Sequence, residues 1–221
     1  MTDPRLKPRA SETHRPLPDI VTERRRADAV QHLQRYFRDV TATSGWAGSR
    51  FERLAGGGDA PGVVDHFTAD DLVAVSLLSV EVPPLAALQI LESRKREIDT
   101  LLAALPDRVD LVDVDPSTID ESWPAWRLWS ELRSVPGIGW VTAGKLLARK
   151  RPHLVPVYDT VVQRAVNPDG SFWVWLASAL RADDRALHRH LLSLREEAGI
   201  GHDISALRVF DVAVWMDNQN R

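Results

Sequence analysis

Val135-Pro136-Gly137-Ile138-Gly139 separates two stretches of helical period, and its residue types suit a tight turn that offers backbone amides to an anion. Glycines at 137 and 139 permit the turn and remove side chains that would hold a phosphate away. The amides opening the second helix then donate to that phosphate, assisted by the helix dipole. Ile138 points inward and pins the bend. Thr142, Lys145, Arg149, Lys150 and Arg151 follow, and the four cations imply salt-sensitive contacts along a sugar-phosphate chain. None of these groups reads base edges, so residues 136–151 predict sequence-independent nucleic-acid binding. Ordinary surface turns also use Pro-Gly-x-Gly, and a charge run also describes a solvated helix face.

The turn needs two helices to hold it. Ala125–Ser134 places Trp126, Trp129 and Leu132 on one face, and Trp140–Lys150 resumes the same period. Small residues at Ala143 and Gly144 predict a close approach of the pair. Upstream, residues 24–40 read as a helix with Val30, Leu33, Phe37 and Val40 inward. Thr68 caps a helix running to Val80, and residues 83–105 form another with Leu88, Leu91, Ile98, Leu101 and Leu102 inward. Val109–Asp115 reads as a short strand or extended linker. Downstream, Ser171 starts a helix, a polar helix covers 185–195, and 205–217 repeats apolar positions at Leu207, Phe210, Ala213 and Trp215. Gly56-Gly57-Gly58 has no adjoining Lys-Ser/Thr and is not a phosphate loop. Every long periodic stretch has the 3.6-residue period, so the class is all-α.

Composition narrows the chemistry. With no cysteine among 221 residues, disulfides, Fe–S clusters and thiolate zinc sites are excluded. His188 and His190 are two apart and make a poor metal pair on a helix, so no metal site is expected. The net charge of −3 argues against wholesale coating of nucleic acid, but residues 127–164 carry seven basic groups against two acidic ones. Residues 31–126 carry eight against sixteen, so a basic island on an acidic body reads as a docking face. Residues 1–22 hold four prolines and few apolar groups and predict a disordered tail, leaving 23–221 as a single domain with scope for two lobes and a cleft. The apolar run at 72–91 is broken by Glu81 and Pro83-Pro84, so no membrane span is expected. No signal core is evident, which makes the cytoplasm the expected location.

Residues 126–164 resemble the helix-hairpin-helix DNA glycosylase superfamily, which includes the endonuclease III and adenine-mismatch enzymes. The likeness rests on Val135-Pro-Gly-Ile-Gly-Trp-Val-Thr-Ala143 and on Asp159-Thr160-Val161-Val162-Gln163-Arg164. Asp159 lies 22 positions after Gly137, the interval expected of endonuclease III relatives. Elsewhere the likeness is architectural. The string from Lys145 to Pro152, with Pro156–Asp159, also resembles an actinobacterial family of unassigned function.

The glycosylase resemblance implies a helical bundle with the hairpin at the rim of a cleft and Asp159 facing into it as the catalytic carboxylate. Breaking an N-glycosidic bond builds positive charge on the sugar, which such a carboxylate stabilises. The target base leaves the stack for a pocket, for which Trp123, Trp140 and Tyr158 are candidate walls. The residue two past Gly139 is Val141, where lyase members carry lysine, so the implied enzyme is a monofunctional DNA N-glycosylase. No organic cofactor is implied, though a monovalent cation can sit at such a hairpin, and the partner is DNA. Three alternatives stay open: a non-catalytic DNA-binding or lesion-recognition module on the same scaffold, an interaction protein in which the hairpin is only a helix joint, and Asp159 as a plain helix N-cap.

Overall fold

Capping residues set most helix boundaries. The computed structural model describes residues 16–40 and 45–219. Those residues are helical without strands and form nine α-helices: α1 Arg26–Tyr36, α2 Ala69–Ser76, α3 Pro84–Leu88, α4 Lys95–Ala103, α5 Pro124–Ser134, α6 Trp140–Lys150, α7 Thr160–Val166, α8 Phe172–Glu197 and α9 Ala206–Asn218. Thr68, Asp159, Ser171 and Ser205 each accept a first-turn amide with the side chain, opening α2, α7, α8 and α9. Pro84 and Pro124 stand in the first turns of α3 and α5, where a missing N–H costs nothing. Among the described residues no helix is long and apolar enough to cross a membrane.

The chain divides into two compact units. One comprises 1–38, 110–120 and 158–221, and the other 39–109 and 121–157. In the second unit α6 packs against α2 and α5, and α5 against α4. Ile98, Leu102, Leu128, Trp129, Leu132, Leu146 and Leu147 are buried there, each contributing about 1.5–3 kcal/mol. In the first unit α9 packs against α1, α7 and α8. Residues 206–214 of α9 are buried on every side, including Arg208 and Asp211. Arg208 reaches Asp211 Oδ2 at 2.5 Å and donates to the Tyr36 hydroxyl at 2.7 Å, so the buried charge is paired within its own helix.

Several elements depart from the sequence expectation for local reasons. Within the stretch expected as a tail, Ile20 and Val21 are buried and Asp19–Val21 forms a 3-10 turn, while residues 1–15 lie outside the described residues. α1 stops at Tyr36, and Val40 is exposed rather than inward. The helix over 83–105 is interrupted by a π turn at Gln89–Ser93, which leaves Leu88 half exposed. Val109–Asp115 is neither strand nor linker but contains a 3-10 turn, Leu111–Asp113, with Leu111 and Val112 buried. α8 runs through the two expected helices but is broken at Ala182, with Asp183, Asp184 and Arg185 left-handed. The break sits where Arg185 pairs with Asp113 at 2.9 Å and Arg181 donates to the Val112 carbonyl at 3.2 Å.

Candidate functional site

The hairpin forms with the expected boundaries. Trp126, Leu128, Trp129 and Leu132 bury one face of α5, and Trp126 and Trp129 lie 5.5 Å apart as core aromatics. Pro136, Gly137 and Gly139 are exposed, whereas Ile138 is buried and donates its N–H to the Val135 carbonyl at 3.1 Å. Gly139 caps α6 without a side-chain bond, and its carbonyl accepts from the Ala143 amide at 3.0 Å. Trp140 is half-buried, and its carbonyl accepts from Trp129 Nε1 at 3.2 Å. The Arg133 guanidinium stands 4.6 Å from the Trp129 ring centroid. A Cβ at Gly144 would meet nothing within 4 Å, so the expected close approach does not depend on that glycine.

The two turn glycines differ in what they allow. Gly137 has φ +90°, and a Cβ there would lie 2.8 Å from Pro83 Cγ. Gly139 has φ −81° and open space where a Cβ would go. Gly137→Ala is therefore expected to cost about 1–3 kcal/mol. Gly139→Ala should cost less than about 1 kcal/mol. Denaturant titration of both variants checks this, and equal costs would contradict the assigned backbone.

The expected cationic face is not a face. Lys145, Arg149, Lys150 and Arg151 are all buried, at 4%, 2%, 0% and 1% exposure, and so are not presented to a phosphate chain. Lys145 Nζ donates to the Leu78 carbonyl at 2.7 Å, beside left-handed Ser79. Arg149 pairs with Asp71 at 3.0 Å and donates to the carbonyls of Phe51, Glu52 and Leu54. Lys150 Nζ lies 2.7 Å from Asp71 Oδ2 and 2.8 Å from both the Gly58 and Val63 carbonyls. Arg151 takes the Val64 and Leu102 carbonyls at 2.6 and 2.8 Å and Asp65 at 2.7 Å. Burial, with Arg149 and Arg151 adding repulsion, holds the Lys150 ammonium below the usual lysine range, and Asp71 opposes that shift. The physical reason for the correction is backbone satisfaction: the irregular chain before α2 carries carbonyls outside any α-helix, and these side chains supply donors to them. Gly58 belongs to the same arrangement, since a Cβ there would lie 2.5 Å from the Arg149 carbonyl oxygen. Thr142 is also buried.

The remaining candidates divide by environment. Asp159 opens α7, its Oδ1 accepting from the Val161 amide at 3.0 Å and the Val162 amide at 3.1 Å, with the residue half-exposed. The N-cap expected of an aspartate at this point is therefore present. Tyr158 is buried and stacked on Phe172, rings 4.0 Å apart and 9° from parallel, so it is core rather than an accessible pocket wall. Trp123 is half-buried at the N-cap of α5. Among the described residues no cluster of three or more His, Asp or Glu could hold a metal ion. Sequence reasoning missed Asp71, which serves both Arg149 and Lys150 and completes a capping box with Thr68. The capping pattern was readable; its second role was not.

A family model matches residues 29–218, from the first turn of α1 to the end of α9 and across both units. The chain belongs to the family of unknown function DUF6308. No curated protein and no solved structure matches it. Membership of DUF6308 assigns no activity, so the functional reading rests on the residues themselves.

Proposed function

We propose that this chain is a DNA-binding protein that grips the sugar-phosphate backbone through the 135–139 turn, on a bundle of the helix-hairpin-helix glycosylase kind. The observation that carries the reading is the turn: Pro136, Gly137 and Gly139 exposed between α5 and α6, with α6 starting at a residue that offers no side-chain cap. Such a start directs its first-turn amides at an anion. Burial of the four cations changes the expected character of binding. Contact through amides releases few counterions, so the log–log salt slope should be shallow, about −1 to −2.

Gly139→Asp is the sharpest test. The side chain enters open space, so the fold should hold, while the carboxylate caps α6 and repels phosphate. Duplex affinity at low salt should fall about tenfold or more with an unchanged melting curve. Equal affinity would remove the hairpin reading.

A second reading adds catalysis, and a specific observation favours it. Asp159 stands half-exposed 22 residues beyond Gly137. A carboxylate there would stabilise the oxocarbenium-like state of N-glycosidic hydrolysis. With Val141 in place of a lysine, the activity would be monofunctional base removal without strand cleavage. A non-catalytic lesion-binding module is the competing outcome, and a base-release screen on duplexes carrying varied lesions separates the two.

A further inference from the structure

Residues 51–66, between the Gly48-Ser49 turn and α2, contain no α-helix, and their backbone bonds to one another are short-range turns such as Gly57 N–H to Leu54 O and Val63 N–H to Ala60 O. Few of their side chains are buried: Phe51 is, while Leu54, Val63 and Val64 are only half-buried. Long-range support comes instead from the C-terminal end of α6. Arg149 takes the carbonyls of 51, 52 and 54, Lys150 those of 58 and 63, and Arg151 that of 64. Lys150 is the central contact. Its ammonium has three N–H donors and meets three oxygens: Asp71 Oδ2, Gly58 O and Val63 O. The Phe67 ring lies 5.7 Å from the nitrogen. Two carbonyls five residues apart in the chain are thus bridged by one cation at a fully buried position.

We propose that residues 51–66 are a strap latched by an internal ammonium: the three oxygens around Lys150 Nζ form a primary-ammonium site, filled in the native chain by its own lysine. The strap opens as a unit when that site is emptied, while α5 and α6 stay folded. Removal of the cation takes the ammonium donor from the Gly58 carbonyl and leaves the Val63 carbonyl with the His66 amide and Asp71 Oδ2 with Thr68, and the cheapest relief is to expose the strap to water. The device is independent of the DNA reading, because it involves none of the exposed turn residues.

Lys150→Ala deletes three carbons and the ammonium, which n-propylammonium would resupply. Hydrogen exchange by mass spectrometry is expected to speed up about tenfold or more across 51–66 in the variant, with α5 amides unchanged. Propylammonium chloride should restore the protection, and propan-1-ol at equal concentration, with ionic strength matched by sodium chloride, should not. Unchanged exchange in the strap, equal rescue by the alcohol, or loss of protection spreading through α5 and α6 would each overturn the proposal. If the alanine variant does not fold, Lys150→Met, which keeps the length without the charge, decides: faster exchange confined to the strap supports it, and any other pattern overturns it.

Discussion

Asp71→Ala is expected to lower the unfolding free energy by about 3–5 kcal/mol, the range for breaking a buried ion pair by deleting one partner. Asp71 is 1% exposed and is the buried carboxylate facing two buried cations, Arg149 at 3.0 Å and Lys150 at 2.7 Å. Its deletion leaves both charges inside with backbone carbonyls as their remaining acceptors. The same side chain accepts from the Thr68 amide at 2.9 Å, so the variant also loses half of the α2 capping box. For a chain of this size the melting temperature should fall by roughly 6–20 °C. Asp71→Asn separates the two contributions, since the amide oxygen can still serve the cap while the charge is gone, and its loss should be intermediate. A loss below about 1 kcal/mol for the alanine variant would mean that the network contributes specificity rather than stability.

The contrast between the hairpin and its cations shows what a sequence of this kind discloses. The bounds of α5 and α6 were legible because proline at a first turn and glycine at a bend act locally, through φ and missing atoms. The fate of Lys145, Arg149, Lys150 and Arg151 was not, because it depends on a partner far away in the chain. Lysine and arginine are seldom fully buried unless paired, and the pairing groups here are mostly carbonyls, which every residue possesses and no sequence pattern marks. One signal was present. Three consecutive residues turn through about 200° of a helix, so Arg149, Lys150 and Arg151 could not all line one solvent face. A glycine-rich stretch without apolar periodicity likewise needs donors from elsewhere for its backbone. The turn at 19–21 was not legible for a smaller reason: its two buried apolar residues, Ile20 and Val21, are concealed when composition is averaged over 1–22.

Asp159→Asn separates catalysis from capping more cleanly than any other substitution in the chain. Both cap bonds fall on Oδ1, from the Val161 and Val162 amides, and an asparagine oxygen can accept them in the same place. Asparagine and aspartate are near-equal N-caps, so the folded state should lose only a few tenths of a kcal/mol. Asp159→Ala, by contrast, removes the cap and should cost about 0.5–2 kcal/mol. If the carboxylate stabilises positive charge on a sugar, Asn must abolish that stabilisation, and base release should drop at least about 10²–10³-fold while duplex affinity stays at the wild-type level. The measurement is release of free base with alkali-sensitive strands, across duplexes carrying oxidised, alkylated, deaminated and hypermodified bases. Wild-type release that persists in Asp159→Asn removes the aspartate from the chemistry and leaves it a cap. A wild-type chain that binds these duplexes through the hairpin yet releases nothing from any of them is a lesion-binding module, in which the helix start at 159 does structural work alone.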